Sequence, residues 1–210
     1  MKSALLILAI VGCASAQFST TGQNDIVNVH NVLRSSIAKG TYNAKGTIEP
    51  AAANMRKMKW DASVATSAQN YVNGCPGGHS GAQGLGENMY WSWSSVAPST
   101  NLDSFGAAAS KSWEKEFQDY GWKSILLDMA TFNTGIGHAT QMAWANTNLV
   151  GCGVKNCGKD SKMNNMYKVQ VVCQYKSQGN ILNTNIYQKG NTCSACASGS
   201  TCEVSSGLCA

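Results

Sequence analysis

Histidine and glutamate side chains are the groups in this 210-residue sequence best suited to binding a metal or transferring protons. The three histidines are His30, His79 and His138. His79 follows a glycine-rich turn, and His138 lies at the expected start of a helix, where the neutral, metal-binding imidazole is favoured. For each histidine, the alternative of a hydrogen bond to a local backbone group stays open.

Two glutamates add carboxylates to this set. Glu87 precedes an aromatic segment, and Glu116 shares an expected helical face with Trp113 and Phe117. A carboxylate on an apolar face is either paired or functional. By contrast, Glu114 is expected to be solvated.

Other catalytic motifs are weak in this sequence. Gly84 and Gly86 lack the third glycine of a dinucleotide loop, and neither an HExxH nor a GxSxG motif occurs. Cys75 and the nearby His79 have the residue types of a thiol nucleophile and its base, but a disulfide is the preferred interpretation for this cysteine. Disulfides are likewise preferred over a zinc knuckle for the four cysteines near the C-terminus, Cys193, Cys196, Cys202 and Cys209.

The composition favours a loop-rich extracellular protein. Hydrophobic residues make up 43% and charged residues 13%, so a packed core is expected and wholesale disorder is excluded. The net charge of +5 is too small and diffuse for a nucleic-acid binder. A loose basic stretch is expected to form a solvated loop containing Lys155, Lys159, Lys162 and Lys168.

Residues 1–16 have the pattern of a secretory signal. Lys2 is followed by an apolar stretch at 4–12 and small residues at 14–16, and the stretch is too short to span a bilayer. Cys13 lies inside this segment, so eight of the nine cysteines remain after cleavage. An even number is typical of a secreted, disulfide-bonded protein, but the sequence alone does not choose the pairing.

Apolar residues at helical spacing predict four helices that position these side chains. They are expected at about residues 26–37, between Asp61 and Gly74, and at about 104–119 and 138–145. His30 and Arg34 are expected beside the apolar stripe of the first helix. Tyr120 is expected on the apolar side of the third.

Alternating residues predict a half-buried strand at 167–176, with its partner at 149–154 and a third strand at 89–94. Helices around such an antiparallel sheet indicate a layered α/β domain that ends near Asn185. Residues 192–210 contain four cysteines among small residues. This segment is too poor in apolar residues for a core and must be held by its own disulfides.

Together these segments resemble the CAP superfamily of cysteine-rich secretory proteins, antigen 5 and pathogenesis-related proteins, and most closely the venom-allergen-like proteins of nematodes. Residues 137–147 (GHATQMAWANT) are similar to the first family signature, with Ala139 in place of the usual aromatic residue. Residues 171–181 (VVCQYKSQGNI) are similar to the second, with Ser177 where proline is common. The resemblance covers about residues 26–181.

The resemblance implies a three-layer α-β-α sandwich with a mainly antiparallel central sheet and a small disulfide-held C-terminal hinge. The implied divisions are a signal at 1–16, a CAP (SCP) domain at 17–186 and a cysteine-rich tail at 187–210. The longer channel-regulating module of cysteine-rich secretory proteins would follow Ala210, so ion-channel blockade is not expected. The implied disulfides are Cys75–Cys157, Cys152–Cys173, Cys193–Cys202 and Cys196–Cys209.

The resemblance also implies a central cleft formed by four residues, His79, Glu87, Glu116 and His138, with His30 outside it. We expect His79 and His138 to bind a divalent metal weakly, with zinc as the candidate and the glutamates orienting the rings. A hydrogen-bonded tetrad without metal is the alternative.

The expected function is that of a secreted, non-enzymatic, monomeric protein that binds a sterol, a fatty acid or an extracellular receptor. An apolar ligand is expected away from the tetrad, near Tyr90, Trp91, Trp93 and the loop through Pro98, unless these rings pack in the core. A metal- or carboxylate-dependent hydrolase is the alternative function. A structural or allergen-like protein with a vestigial cleft is a third. No transmembrane segment and no nucleic-acid partner are expected.

Overall fold

The fold of residues 18–210 is described by a computed structural model, and the expected signal at 1–16, with Cys13, lies outside the described residues. The helices are α1 (Thr20–Ala38), α2 (Ala62–Val72), α3 (Asp103–Tyr120), α4 (Met129–Phe132) and α5 (Gly137–Ala143). The strands are β1 (Asn43–Ala44), β2 (Thr47–Ile48), β3 (Lys59–Trp60), β4 (Gly86–Ser94), β5 (Leu126–Leu127), β6 (Leu149–Asp160), β7 (Met166–Lys176), β8 (Thr184–Asn185), β9 (Cys202–Glu203) and β10 (Leu208–Cys209).

A four-stranded sheet in the order β3-β6-β7-β4 forms the middle layer. Strands β6 and β4 both pair antiparallel with β7, and the short β3 pairs parallel with β6, so the sheet is mixed. Helix α2 packs on one face against β6 and β7, while α3 contacts β4, β6 and β7 and packs with α1 and α5 to form the opposite helical layer. The three-layer α-β-α sandwich is thereby confirmed.

Two glycines of β6 set the spacing between the sheet and α2. A Cβ on Gly151 would lie 2.1 Å from the Ala65 nitrogen, and one on Gly153 would lie 2.4 Å from the Gln69 Cα. Any larger residue would therefore push the helix off the sheet. The close approach also lets Gln69 donate to the Val154 carbonyl and accept from its N–H, at 3.0 and 3.1 Å.

Helix α1 buries two polar side chains that the sequence analysis placed beside its apolar stripe. His30 and Arg34 are both fully buried. The Arg34 guanidinium makes six hydrogen bonds of 2.6–3.1 Å to five backbone carbonyls. The carbonyls are those of Arg56, Met142, Trp144, Ala145 and Thr147. Arg56 lies just before β3, and the other four residues lie at the end of α5 or just after it, so Arg34 ties α1 to both segments.

Strand β7 is buried on both faces rather than on one. Residues 169–175 are all buried, because helices cover both sides of the sheet. Gln170 and Gln174 consequently find partners inside, with Gln170 donating to the Pro76 carbonyl at 2.9 Å. The sequence predicted that one face of this strand would be exposed to solvent, and this prediction was wrong.

Three further expectations were wrong. Tyr120, expected on the apolar side of its helix, is 54% exposed at the end of α3. The basic stretch is not a loop: its lysines lie on the β6–β7 hairpin and on the 3₁₀ turn Ser161–Met163 between the strands. Glu114 is half-buried rather than solvated, and burial raises the pKa of its carboxyl.

The tail folds back onto the sandwich. The structure forms Cys193–Cys202 and Cys196–Cys209, and in the sandwich Cys75–Cys157 and Cys152–Cys173, the same four pairs that the resemblance implied. Leu208 in the tail and Tyr187 at its start are buried in the main core. The division at residue 187 stays a prediction. Within residues 18–210, none of the helices has the length and apolar character needed to cross a bilayer.

Candidate functional site

The first half of the cleft joins a loop histidine to a strand carboxylate. Glu87 lies on β4 opposite Gln174 of β7, with 6% of its side chain exposed. Its Oε1 accepts hydrogen bonds from His79 Nδ1 at 2.9 Å and from the Ser80 N–H at 2.8 Å, and its Oε2 accepts one from Gln174 Nε2 at 2.9 Å. Burial opposes the negative charge, but these donors together lower the pKa of the Glu87 carboxyl below its ordinary value.

The second half joins α3 to the start of α5. Helix α5 has no side-chain cap of its own. Instead, Oε2 of Glu116 accepts from the backbone N–H groups of His138 and Ala139, both at 3.0 Å, and Oε1 lies 2.5 Å from His138 Nδ1. A carboxylate at a helix N-terminus is favoured by the helix dipole, so one side chain both caps α5 and orients the imidazole.

Both histidine rings therefore make the same kind of hydrogen bond to a carboxylate. A carboxylate accepts the Nδ1–H of each ring, which leaves Nε2 as the free nitrogen of the neutral imidazole. The two side chains differ in solvent exposure: 61% of the His79 side chain is exposed, compared with 36% of the His138 side chain. His138 is further held by stacking on Trp113, with ring centroids 6.1 Å apart and planes 16° from parallel.

A buried hydrogen-bonded chain supports the cleft from behind. Asn88 donates to the backbone carbonyl of His138 at 3.1 Å and to the Tyr175 hydroxyl at 3.2 Å. That hydroxyl in turn lies 2.9 Å from His30 Nε2, and His30 Nδ1 lies 2.8 Å from the Ile26 carbonyl. Burial lowers the pKa of His30 to about 4, so this ring is neutral at physiological pH. His30 is thus a structural residue outside the cleft.

A cavity of about 280 Å³ joins the two His–Glu pairs and is lined by all four tetrad residues. Phe132, Asn180, Gly135 and Gly137 also line it. A second cavity of about 240 Å³ continues from it past His79, Glu87 and Asn180. Among the described residues, those that line the first cavity include no serine, threonine or cysteine, so they supply no hydroxyl or thiol nucleophile of these types.

The donor set of the cleft fits a weakly bound metal ion. Two imidazole nitrogens are left for coordination, because the carboxylates already accept N–H bonds. Among the described residues of the cleft, no three side chains each bring a ligand atom within 4.8 Å of the other two. A structural zinc site has four protein ligands, so this arrangement offers a partial site rather than a complete one.

Several residues of the site were missed from the sequence. Gln174 and Asn180 occur in the second signature but gave no chemical signal, because an amide is ordinary on a strand or in a loop. Helix α4, which brings Phe132 to the cleft, has only four residues and leaves no helical periodicity to detect.

The aromatic segment on β4 contributes to packing. Tyr90 packs against the main core and Trp91 against a second cluster beneath α2. The Trp93 indole N–H donates to Asp160 at 3.1 Å. All three residues are nevertheless only partly buried, and β4 is an edge strand of the central sheet.

The chain matches known secreted proteins over most of its length. A model of the cysteine-rich secretory protein (CAP) family matches residues 27–175. Ancylostoma secreted protein of Ancylostoma caninum is 39% identical over 206 residues, which cover 91% of this chain and 46% of that protein. Cysteine-rich secretory protein 3 of Equus caballus is 33% identical over 183 residues, covering 83% of this chain and 64% of that protein. The chain therefore spans less than two thirds of either relative.

Solved structures are similar over nearly the whole chain. The crystal structure of NaASP2 with Zn²⁺ has a TM-score of 0.80 and 35% sequence identity, covering 95% of this chain and all of that one. The structure of BmVAL-1 has a TM-score of 0.83 and 33% identity, covering 94% of this chain and 97% of that one.

Proposed function

Because this chain belongs to the cysteine-rich secretory protein (CAP) family, we propose that it acts as a binding protein whose His/Glu cleft takes up a divalent metal ion, with zinc as the first candidate. Its relatives are named as secreted proteins, salivary antigens and venom allergens, and the chain is a secreted, non-enzymatic member of the family. The observation that carries the proposal is the matched orientation of the two imidazoles by carboxylates.

His79 and His138 are the proposed ligands, each through Nε2. Glu87 and Glu116 hold the Nδ1–H groups, which keeps the rings in position. With two protein ligands, the affinity is modest. A bound ion would link the exposed loop of His79 to α5. A related protein that is 35% identical has been crystallised with Zn²⁺, which supports zinc as the first ion to test.

A hydrolase has less support from the same geometry. All four carboxylate oxygens of Glu87 and Glu116 accept hydrogen bonds, so neither group is left as a general base aimed into the cavity. Hydrolytic turnover that disappears in a Glu87→Gln, Glu116→Gln double variant would instead establish the enzyme.

An apolar ligand or a receptor is proposed to bind at β4 rather than in the polar cleft. The partly exposed rings of Tyr90, Trp91 and Trp93 offer apolar surface on this edge strand. Sterol and fatty-acid binding are to be measured in wild type and in a Trp91→Ala, Trp93→Ala variant. Saturable binding that is unchanged in the variant would exclude this segment.

Calorimetric titration with zinc tests the metal site directly. Wild type should bind one ion at pH 7 and bind it more weakly at pH 5, because protons compete with the metal for the imidazole nitrogens as the pH falls. A His79→Ala, His138→Ala double variant should lose this binding, while Asp119→Asn, which removes an exposed carboxylate outside the cleft, should keep it. Equal binding by wild type and the double histidine variant would overturn the proposal.

A further inference from the structure

The two disulfides of the tail lie against each other. The Sγ atoms of Cys193, Cys196 and Cys209 are all within 4.8 Å of one another, although Cys193 is bonded to Cys202 and Cys196 to Cys209. Since every one of these sulfurs is oxidised, the cluster has no thiolate to offer a metal. Because the sulfur atoms are so close, a thiolate released from one disulfide can reach the other disulfide.

The β9–β10 ladder makes a second pairing accessible. Cys202 and Cys209 are direct partners in the register, but they are not bonded to each other. Thr201 and Ala210, the next pair along, exchange both N–H···O bonds at 3.0 and 2.8 Å. Cys202 and Cys209 therefore occupy a non-hydrogen-bonded pair, where facing side chains are closest. Cys193 and Cys196, three residues apart, form the complementary bond of this second pairing.

We propose that the tail is a thiol–disulfide exchange site that reacts with a small-molecule thiol and interconverts these two pairings. Cys202 is exposed whereas Cys209 is buried, so the external thiolate enters at Cys202. Its attack on the Cys202 sulfur breaks the Cys193–Cys202 bond, forms a mixed disulfide on Cys202 and releases the Cys193 thiolate.

Two internal steps complete the exchange. The Cys193 thiolate attacks the Cys196 sulfur, which forms Cys193–Cys196 and expels the Cys209 thiolate. The Cys209 thiolate then attacks Cys202, which forms Cys202–Cys209 and expels the external thiolate. Two disulfides are broken and two are made, so there is no net oxidation and the thiol is regenerated.

The two pairings hold the tail differently. In the observed pairing, both disulfides join the segment around Cys193 and Cys196 to the β9–β10 hairpin. In the second pairing, one disulfide lies within the Cys193–Cys196 segment and the other within the hairpin, so no disulfide joins the two. The hairpin is then held against the rest of the protein by non-covalent contacts. These include the Lys57–Glu203 ion pair at 2.6 Å and the Cys209 backbone bonds to Met55 and Lys57, both at 2.8 Å.

A Cys202→Ser variant tests the internal step without added thiol. It leaves Cys193 as a free thiol beside Cys196–Cys209, and alkylation followed by tandem mass spectrometry locates the free sulfur. We expect label on Cys196 or Cys209 as well as on Cys193. The matched control is Cys75→Ser, which frees Cys157 away from this sulfur cluster; its label should stay on Cys157. Label confined to Cys193 in the first variant overturns the proposal.

Wild-type protein tests the whole sequence. It is incubated with a catalytic amount of reduced glutathione, alkylated, and mapped without reduction. We expect a fraction in which Cys209 is joined to Cys202, with the Cys75–Cys157 and Cys152–Cys173 bonds intact. Cys209 found only on Cys196, with Cys202 either unreacted or carrying glutathione, would overturn the exchange.

Discussion

The sandwich and the tail of this protein are both disulfide-bonded, but their disulfides have different structural roles. In the sandwich, Cys152 and Cys173 face each other across β6 and β7 inside a core that is already buried. In the tail, most residues are at least partly exposed, and two disulfides substitute for a core that so few apolar residues cannot build. Burial therefore dominates one region and covalent bonds the other.

Removing the Arg34 side chain should show how strongly the sandwich depends on buried contacts. Arg34→Met removes six hydrogen bonds to five backbone carbonyls, of which only those of Trp144 and Ala145 have a further backbone donor within residues 18–210. We expect the free energy of unfolding to fall by about 3–5 kcal/mol in urea titrations. The control is Arg56→Met, which removes one side-chain bond of 3.2 Å to the Asn146 carbonyl and should cost about 0.5–1.5 kcal/mol. Equal losses in the two variants would contradict a special role for Arg34.

Removing one disulfide from each region should sharpen the comparison. The Cys75–Cys157 bond closes a separation of 82 residues and the Cys193–Cys202 bond one of 9. Replacing the first pair by alanine should lower the free energy of unfolding by about 2–5 kcal/mol. Replacing the second should leave the main thermal transition nearly unchanged, because the sandwich core is retained. A larger shift from the tail pair would show that the tail supports the sandwich.

The sandwich should also become less stable as the pH rises, because of Glu49. This side chain is buried, its Oε1 has no hydrogen-bond partner within residues 18–210, and burial raises its pKa from 4.5 to about 7. Between these values the unfolded chain releases the proton while the folded chain keeps it, so the free energy of unfolding falls with pH. Glu49→Gln should flatten this slope, and Asp25→Asn, at an exposed position, should not. Parallel pH profiles for wild type and Glu49→Gln would contradict the prediction.

The tail carries a carboxylate of the opposite kind, with the smallest expected effect. Hydrogen bonds from Lys57 and Ser206 lower the pKa of Glu203 below its ordinary value. The contact therefore stabilises the tail above the ordinary carboxyl pKa and is lost as the pH falls through the lowered value. The protection factor of the Cys209 amide, which corrects for the slower intrinsic exchange in acid, should fall on acidification in wild type. In Glu203→Gln the exchange should already be quicker at neutral pH. Identical exchange in both proteins would show that the Glu203 contacts do not stabilise the tail.

Local signals in the sequence were sufficient for the longer helices and strands. Asp61 caps α2 as expected, with its side chain accepting from the Val64 N–H at 2.9 Å. Gly40 follows α1 with a φ of +65°, the conformation that glycine adopts most readily. The two signature segments supplied α5 and β7. Helix α4 and the two-residue strands were missed because they are too short to show a period. The faces of β7 were also predicted wrongly, because their burial depends on helices that are distant in sequence.

The sequence by itself determined the residue types of the cleft, the positions of caps and helix ends, and the number of cysteines, because each depends on a short segment. Only the tertiary structure decided that Glu116 caps α5 across 22 residues and that Arg34 and Gln174 lie inside. It also set how far each histidine is exposed. These properties depend on which surfaces meet when the sheet and helices pack, and a polar side chain is stable inside only where that packing supplies its partners.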